Sequence, residues 1–311
     1  MKKIVLLTFL VTSLGWIAGA CSSDSEFTEP VLPEESGEEE VVVTYKVDST
    51  LLICKKENMK IHGMVYTSTK ESGKRPTVIL SHSSSLTHKA MAGYAYQLAN
   101  EGYAAYCFDF CGGSDESQSD GDTKDMTVFT EIEDLRAVVN TIKTLDYVDT
   151  SRIYLLGSSQ GGLVSALLAE EIADDLAGMV LFYPAFNIPE LVSKFSGLGN
   201  MGSWGDSGNI SGMMSMSEAY INSIKDYDVW AHIGTFPKPV CIVHGTQDII
   251  VPIANSEKAV TLYPKATLYK IDGANHGFNE ANLGSMGSMM GGTTNYDSKV
   301  MPLVISFLNK K

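Results

Sequence analysis

From residue 76 to the C-terminus, short apolar runs alternate with amphipathic stretches, and this alternation leaves the chain few architectures to choose from. The runs PTVILS (76–81), YAAYCFDF (103–110), RIYLL (152–156), GMVLFY (178–183), KPVCIVH (238–244) and ATLYKID (266–272) are short and continuously apolar at their centres, as strands covered on both faces are. Between them, 89–101, 127–145, 161–173 and 253–263 place apolar residues at helical spacing, and a last helix is expected near 296–309. Two further strands are expected near 50–55 and 60–66. Strand and helix in strict alternation predict the α/β class, a mostly parallel sheet with helices on both faces.

The N-terminus reads as an address. Lys2 and Lys3 precede an apolar run of roughly 15 residues, too short for a spanning helix of about 20, and Ala18, Gly19 and Ala20 lead directly to Cys21. Residues 1–20 are therefore expected to be an export signal. Small residues ending on a cysteine resemble the lipobox of bacterial lipoproteins, although that pattern usually has Leu where Ala18 stands; the resemblance implies a lipid on Cys21 and an outer-membrane location, on the periplasmic face or the cell surface. Residues 21–46 form an acidic tether: eight acids between Asp24 and Glu40 meet no base, and such a segment cannot bury a core. The whole chain of 311 residues carries a net charge of −14. The remaining body, 47–311, is long enough for one large domain, is mildly acidic, and offers no basic stripe to phosphates, which argues against nucleic acid as a partner. Cys54, Cys107, Cys111 and Cys241 form no CxxC pair and have no histidine at ligand spacing, so buried thiols are expected rather than a metal site. One disulfide stays open as an alternative, since an exported protein meets an oxidising compartment.

The run at 152–156 leads into Gly157-Ser158-Ser159-Gln160-Gly161, which fits G-x-S-x-G at a strand-to-helix turn. Such a turn exposes the hydroxyl of Ser159 at its tip, and the helix that follows lends amide N–H groups to a developing anion. A serine hydroxyl needs a base to activate it and an acid to orient that base. His276 in GANHGF follows the last strand, and Asp248 in HGTQDIIVP follows the strand at 239–244. The order Ser159, Asp248, His276 puts three roles in three loops at the carboxyl ends of three strands, where open α/β sheets bind ligands.

The region 60–310 resembles bacterial α/β hydrolases of the cinnamoyl or feruloyl esterase type in LSHSSSLTHK, FDFCGGSDES, MTVFTEIEDLRAVVNTIK, GSSQGG, HGTQDIIVP and GANHGF. That resemblance implies the α/β-hydrolase fold with a cap inserted after the sixth strand, here about 185–236. It implies Ser159, Asp248 and His276 as the catalytic triad and the backbone amides of Gln160 and Ser84 as the oxyanion hole. The family has His-Gly and a bulky residue where this chain has His82-Ser83-Ser84. His82, Asp109 and His244 match positions that tie loops. The expected activity is that of a serine carboxylesterase without cofactor or metal, acting on aromatic (feruloyl or cinnamoyl) or short acyl esters of plant polysaccharide; its partner is then a small-molecule or oligosaccharide ester.

The insertion is too long for an ordinary connection, and its glycines, methionines and aromatics suit an adaptable lid over an apolar pocket. Trp204, Tyr220, Tyr227 and Trp230 are the candidate pocket walls. A second Gly/Met-rich piece, 284–295, follows His276. Two other readings stand beside the esterase. A peptidase of the prolyl-oligopeptidase type shares the triad order but would lack its propeller, and a surface binding protein that has lost catalysis would explain the unusual loop at 82–84.

Overall fold

A computed structural model describes residues 46–70, 72–196, 216–279 and 295–310. Eight strands form one sheet: β1 (Val47–Lys56), β2 (Met59–Ser68), β3 (Arg75–Ser81), β4 (Ala104–Phe108), β5 (Val148–Ser158), β6 (Gly178–Phe182), β7 (Val240–Gly245) and β8 (Ala266–Ile271). Their order is β1-β2-β4-β3-β5-β6-β7-β8. The first two strands run antiparallel to each other and β2 antiparallel to β4, while every pair from β4 to β8 is parallel.

Side chains alternate across each strand, so one strand feeds two cores. Val78 and Leu80 of β3, with Leu156, Val180 and Val243, pack beneath helices α1 (Ala92–Asn100) and α7 (Asp297–Leu308). Ile79, Leu155, Leu181 and Ile242 point to the other face, where α2 (Val128–Ile142), α3 (Gln160–Glu171) and α6 (Ala254–Leu262) cover them. These strand residues are fully buried, and each contributes roughly 1.5–3 kcal/mol by leaving water. The helix α2 starts at a reciprocal cap: Thr127 Oγ1 accepts from Thr130 N, and Thr130 Oγ1 accepts from Thr127 N.

The insertion after β6 contributes α4 (Ile188–Ser196) and α5 (Glu218–Ile224), both packed on the α2/α3 side of the sheet. Trp204 and the Gly/Met-rich piece up to 294 lie outside the described residues, as do the leader, Cys21 and the acidic tether through residue 45. The four cysteines of the described residues carry free, buried thiols. No helix among the described residues is long and apolar enough to cross a membrane.

The chain leaves β3 to form β4 on one side and returns to form β5 on the other. The loop after β3 and the turn after β5 therefore flank the point where the winding reverses, the place where the carboxyl edge of such a sheet opens.

Candidate active site

Ser159 occupies the turn between β5 and α3 with φ 51° and ψ −116°. This is a backbone region that residues with a Cβ seldom enter, and neighbouring hydrogen bonds hold it there. Its N–H donates to Phe182 O at 2.9 Å, and its carbonyl accepts from Gly162, Leu163 and Ala185. The flanking glycines make the turn sterically feasible. A Cβ on Gly157 would lie 2.2 Å from Gly161 O, and one on Gly161 would lie 2.4 Å from His82 O.

His276 Nε2 lies 3.0 Å from Ser159 Oγ, and His276 Nδ1 lies 2.7 Å from Asp248 Oδ2. All three side chains are buried. The loops that carry Asp248 and His276 are stitched together where Gln247 N donates to Ala274 O at 2.9 Å. Asp248 Oδ1 accepts from the N–H groups of Ile250 and Val251, each at 2.9 Å. Burial by itself raises the Asp248 pKa, but hydrogen bonds from His244 and His276 win and hold it down to about 2. The carboxylate is therefore ionised at neutral pH, which fixes the proton of His276 on Nδ1 and leaves Nε2 to accept from the serine hydroxyl.

His244 supports this arrangement from behind. Its Nε2–H faces Asp248 Oδ2 at 3.1 Å and Val251 O at 2.9 Å, and Nδ1 accepts from Ser256 Oγ at 2.7 Å. Tyr183, which follows β6, sets its ring 4.4 Å from that of His276 and has φ 36°. Sequence reasoning did not single out Tyr183; the signal was its place at the end of a central strand, shared by many residues without chemistry.

The loop after β3 is anchored by its own histidine. His82 Nδ1–H donates to Ser83 O at 2.8 Å, and Nε2 accepts from Phe110 N at 3.2 Å. Burial lowers the His82 pKa to about 4, so the ring is neutral and can fill both roles at once. Ser83 has no positive φ, so nothing in its backbone demands glycine. Its Oγ lies 2.9 Å from Ser158 Oγ, a direct bond between this loop and the turn that carries Ser159. The backbone N–H groups of Ser84 and Gln160 find no acceptor among the described residues.

The described aromatics of the insertion after β6 contact the helices around them. Tyr220 is buried and donates its hydroxyl to Gln160 Oε1 at 2.8 Å. Tyr227 meets Phe129 of α2 edge-on at 5.1 Å and stacks on His232 at 4.5 Å. Trp230 packs on Phe186 at 5.6 Å and lies beneath the Lys258 ammonium at 3.9 Å. Among the described residues, donors of the metal-binding type gather within 4.8 Å of one another at His62, His88 and Asp109. Asp109 already accepts from His88 N and His88 Nδ1, both at 2.7 Å, and from Gln118 N at 2.8 Å. That carboxylate ties the loops following β3 and β4.

Against known proteins, residues 72–204 match the family model described as serine aminopeptidase, S33. No curated protein matches the chain. Among solved structures, Est1E from Butyrivibrio proteoclasticus with ferulic acid bound superposes with a TM-score of 0.67 at 24% identity, covering 83% of this chain and all of that one. A monoacylglycerol lipase from Paleococcus ferrophilus gives 0.57 at 17% identity over 80% of this chain and 98% of its own. An esterase from Pyrococcus furiosus gives 0.57 at 19% identity over 85% and 94%. With its mostly parallel eight-stranded sheet, helices on both faces and an insertion after the sixth strand, the chain has the α/β-hydrolase fold.

Proposed function

We propose that the protein is a serine hydrolase that cleaves carboxylic esters through an acyl-enzyme, with Ser159 as nucleophile, His276 as general base and acid, and Asp248 as the group that orients His276. The observation that carries this reading is the unbroken chain from Ser159 Oγ to His276 Nε2 at 3.0 Å and from His276 Nδ1 to Asp248 Oδ2 at 2.7 Å. Ser159 Oγ attacks the ester carbonyl as its proton passes to Nε2, and the imidazolium returns that proton to the leaving alcohol. Water then repeats the sequence on the acyl-enzyme. The N–H groups of Ser84 and Gln160 are assigned to the oxyanion, a role for which their lack of other acceptors leaves them available. The bond from Ser83 to Ser158 supports a loop built into the site and weighs against a shell that has lost catalysis.

The acyl group is assigned to the aromatic or short classes, with support from the likeness to Est1E, a protein seen with ferulic acid bound. The match to a serine aminopeptidase family favours a second reading, cleavage of a peptide amide by the same residues. Turnover of methyl ferulate, p-nitrophenyl acetate and an aminoacyl-proline amide separates these, with Ser159→Ala as control. Ferulate cleavage lost in the variant is the expected result. Amide cleavage alone would transfer the assignment to the peptidase, and no Ser159-dependent turnover of any of the three would overturn the hydrolase reading.

The leader and Cys21 support a lipid-anchored protein of the outer membrane. Fractionation should find the native protein with membranes and a Cys21→Ala variant in the soluble fraction; an unchanged distribution would remove the anchor.

A further inference from the structure

Behind the nucleophile turn, three buried polar side chains from three helices form a single hydrogen-bonded line. Tyr220 of α5 donates its hydroxyl to Gln160 Oε1 at 2.8 Å, and Gln160 Nε2 donates to Glu131 Oε2 of α2 at 2.8 Å. Glu131 is 1% exposed, Gln160 1% and Tyr220 2%. Met126 Sδ, 4.0 Å from Nε2, is the other neighbour of that amide. No lysine, arginine or histidine bonds to the Glu131 carboxyl among the described residues. Lys56 of β1 is paired instead with Asp134, one turn further along α2. A carboxyl kept in the core without a countercharge is costly, and a merely space-filling residue would be apolar.

Gln160 joins this line to the chemistry. Its side chain takes part in the buried line, while its backbone N–H is the one assigned above to the oxyanion. With Oε1 held by a donor and Nε2 by an acceptor, the carboxamide has one orientation, and the peptide that carries it is held in place at the first position of α3. We infer that Glu131 and Tyr220 are positioning residues that set the Gln160 amide and seat the cap on it, so that the placement of α5 and the strength of the oxyanion site are coupled. The inference rests on the serine-hydrolase reading.

The groups facing Glu131 are Gln160 from α3, Tyr220 from α5 through that glutamine, and Asp134 on its own helix with Lys56 of β1 upon it. Burial raises the Glu131 pKa to about 8, opposed by the Gln160 bond and reinforced by Asp134. An ionised carboxylate accepts from Nε2 more strongly than a neutral acid, so the hold on Gln160 tightens as pH rises through this range.

The test uses the full-length protein with p-nitrophenyl acetate, comparing Glu131→Gln, Tyr220→Phe and the double variant, with thermal melts alongside. Above about pH 8, where Glu131 is ionised, each single change should lower kcat about tenfold while KM stays within about twofold, since a misaligned oxyanion donor weakens the transition state more than the bound ester. The double variant should lose little more than the worse single one, because both act through Gln160. The native protein should show an upward step in kcat near pH 8, and that step should be missing from Glu131→Gln, whose side chain still accepts from Nε2 but does not titrate. Ser159-dependent turnover with unchanged kcat in both folded single variants would overturn this inference alone, as would lower melting temperatures without a change in kcat or its pH profile. Absence of Ser159-dependent turnover in the native protein would overturn the hydrolase reading, and this inference with it.

Discussion

Asp248 accepts two backbone N–H groups on one oxygen and two imidazoles on the other, and this saturation gives it a measurable signature. Its folded pKa, held to about 2, lies below the roughly 3.9 of an unfolded aspartate. A depressed carboxyl stabilises the fold above the unfolded pKa and loses that contribution as pH falls through the folded one. The stabilisation is on the order of 2 kcal/mol at neutral pH and should fade between about pH 4 and pH 2. Asp248→Asn removes it along with the acceptor for His276 Nδ1–H. Ester turnover in that variant should fall about 10³- to 10⁴-fold. Urea unfolding should show the native protein losing more stability than the variant between pH 5 and pH 2; parallel losses would contradict the assignment. The order Ser159, Asp248, His276 was readable in the sequence because each sits just beyond an apolar run that already marks a strand. The second hydrogen bond of His244 and the partners of Gln160 were not readable. Glu131 and Tyr220 lie 29 and 60 positions from Gln160, and no local pattern records a contact made across that distance.

The apolar runs marked the strands to within a few residues, because a strand covered on both faces needs a continuous apolar centre. Helix starts were less well marked. The spacing predicts the first helix from 89, yet residues 88–91 form a tighter 3-10 turn, fixed by the bonds from His88 to Asp109, and α1 begins only at Ala92. An apolar run carries no record of its neighbours, so the exchange of β3 and β4 in the sheet order could not be read from it. The cap aromatics raise the same difficulty in another form. Tyr220, Tyr227 and Trp230 have the composition of pocket walls, but their rings and hydroxyls make contacts with Gln160, Phe129, Phe186 and Lys258. A large amphipathic side chain serves a pocket and an anchor equally well, and composition does not distinguish the two.

At the scale of the whole molecule, the backbone of Ser159 is held at φ 51° by bonds from β6 and α3, so the rest of the fold sustains a conformation that a residue with a Cβ disfavours. Such residues cost about 1–3 kcal/mol each. Two inactive variants separate that cost from the loss of the hydroxyl. Ser159→Ala and Ser159→Gly both abolish the bond to His276, but only glycine relieves the strained φ, so it should be the more stable of the two by about 1 kcal/mol. Thermal melts that rank alanine at or above glycine would refute this. The same comparison bears on descent: a lineage released from the need for that hydroxyl would gain stability by drifting to glycine at this position, so under the proposed function selection for turnover would act against selection for a firmer fold.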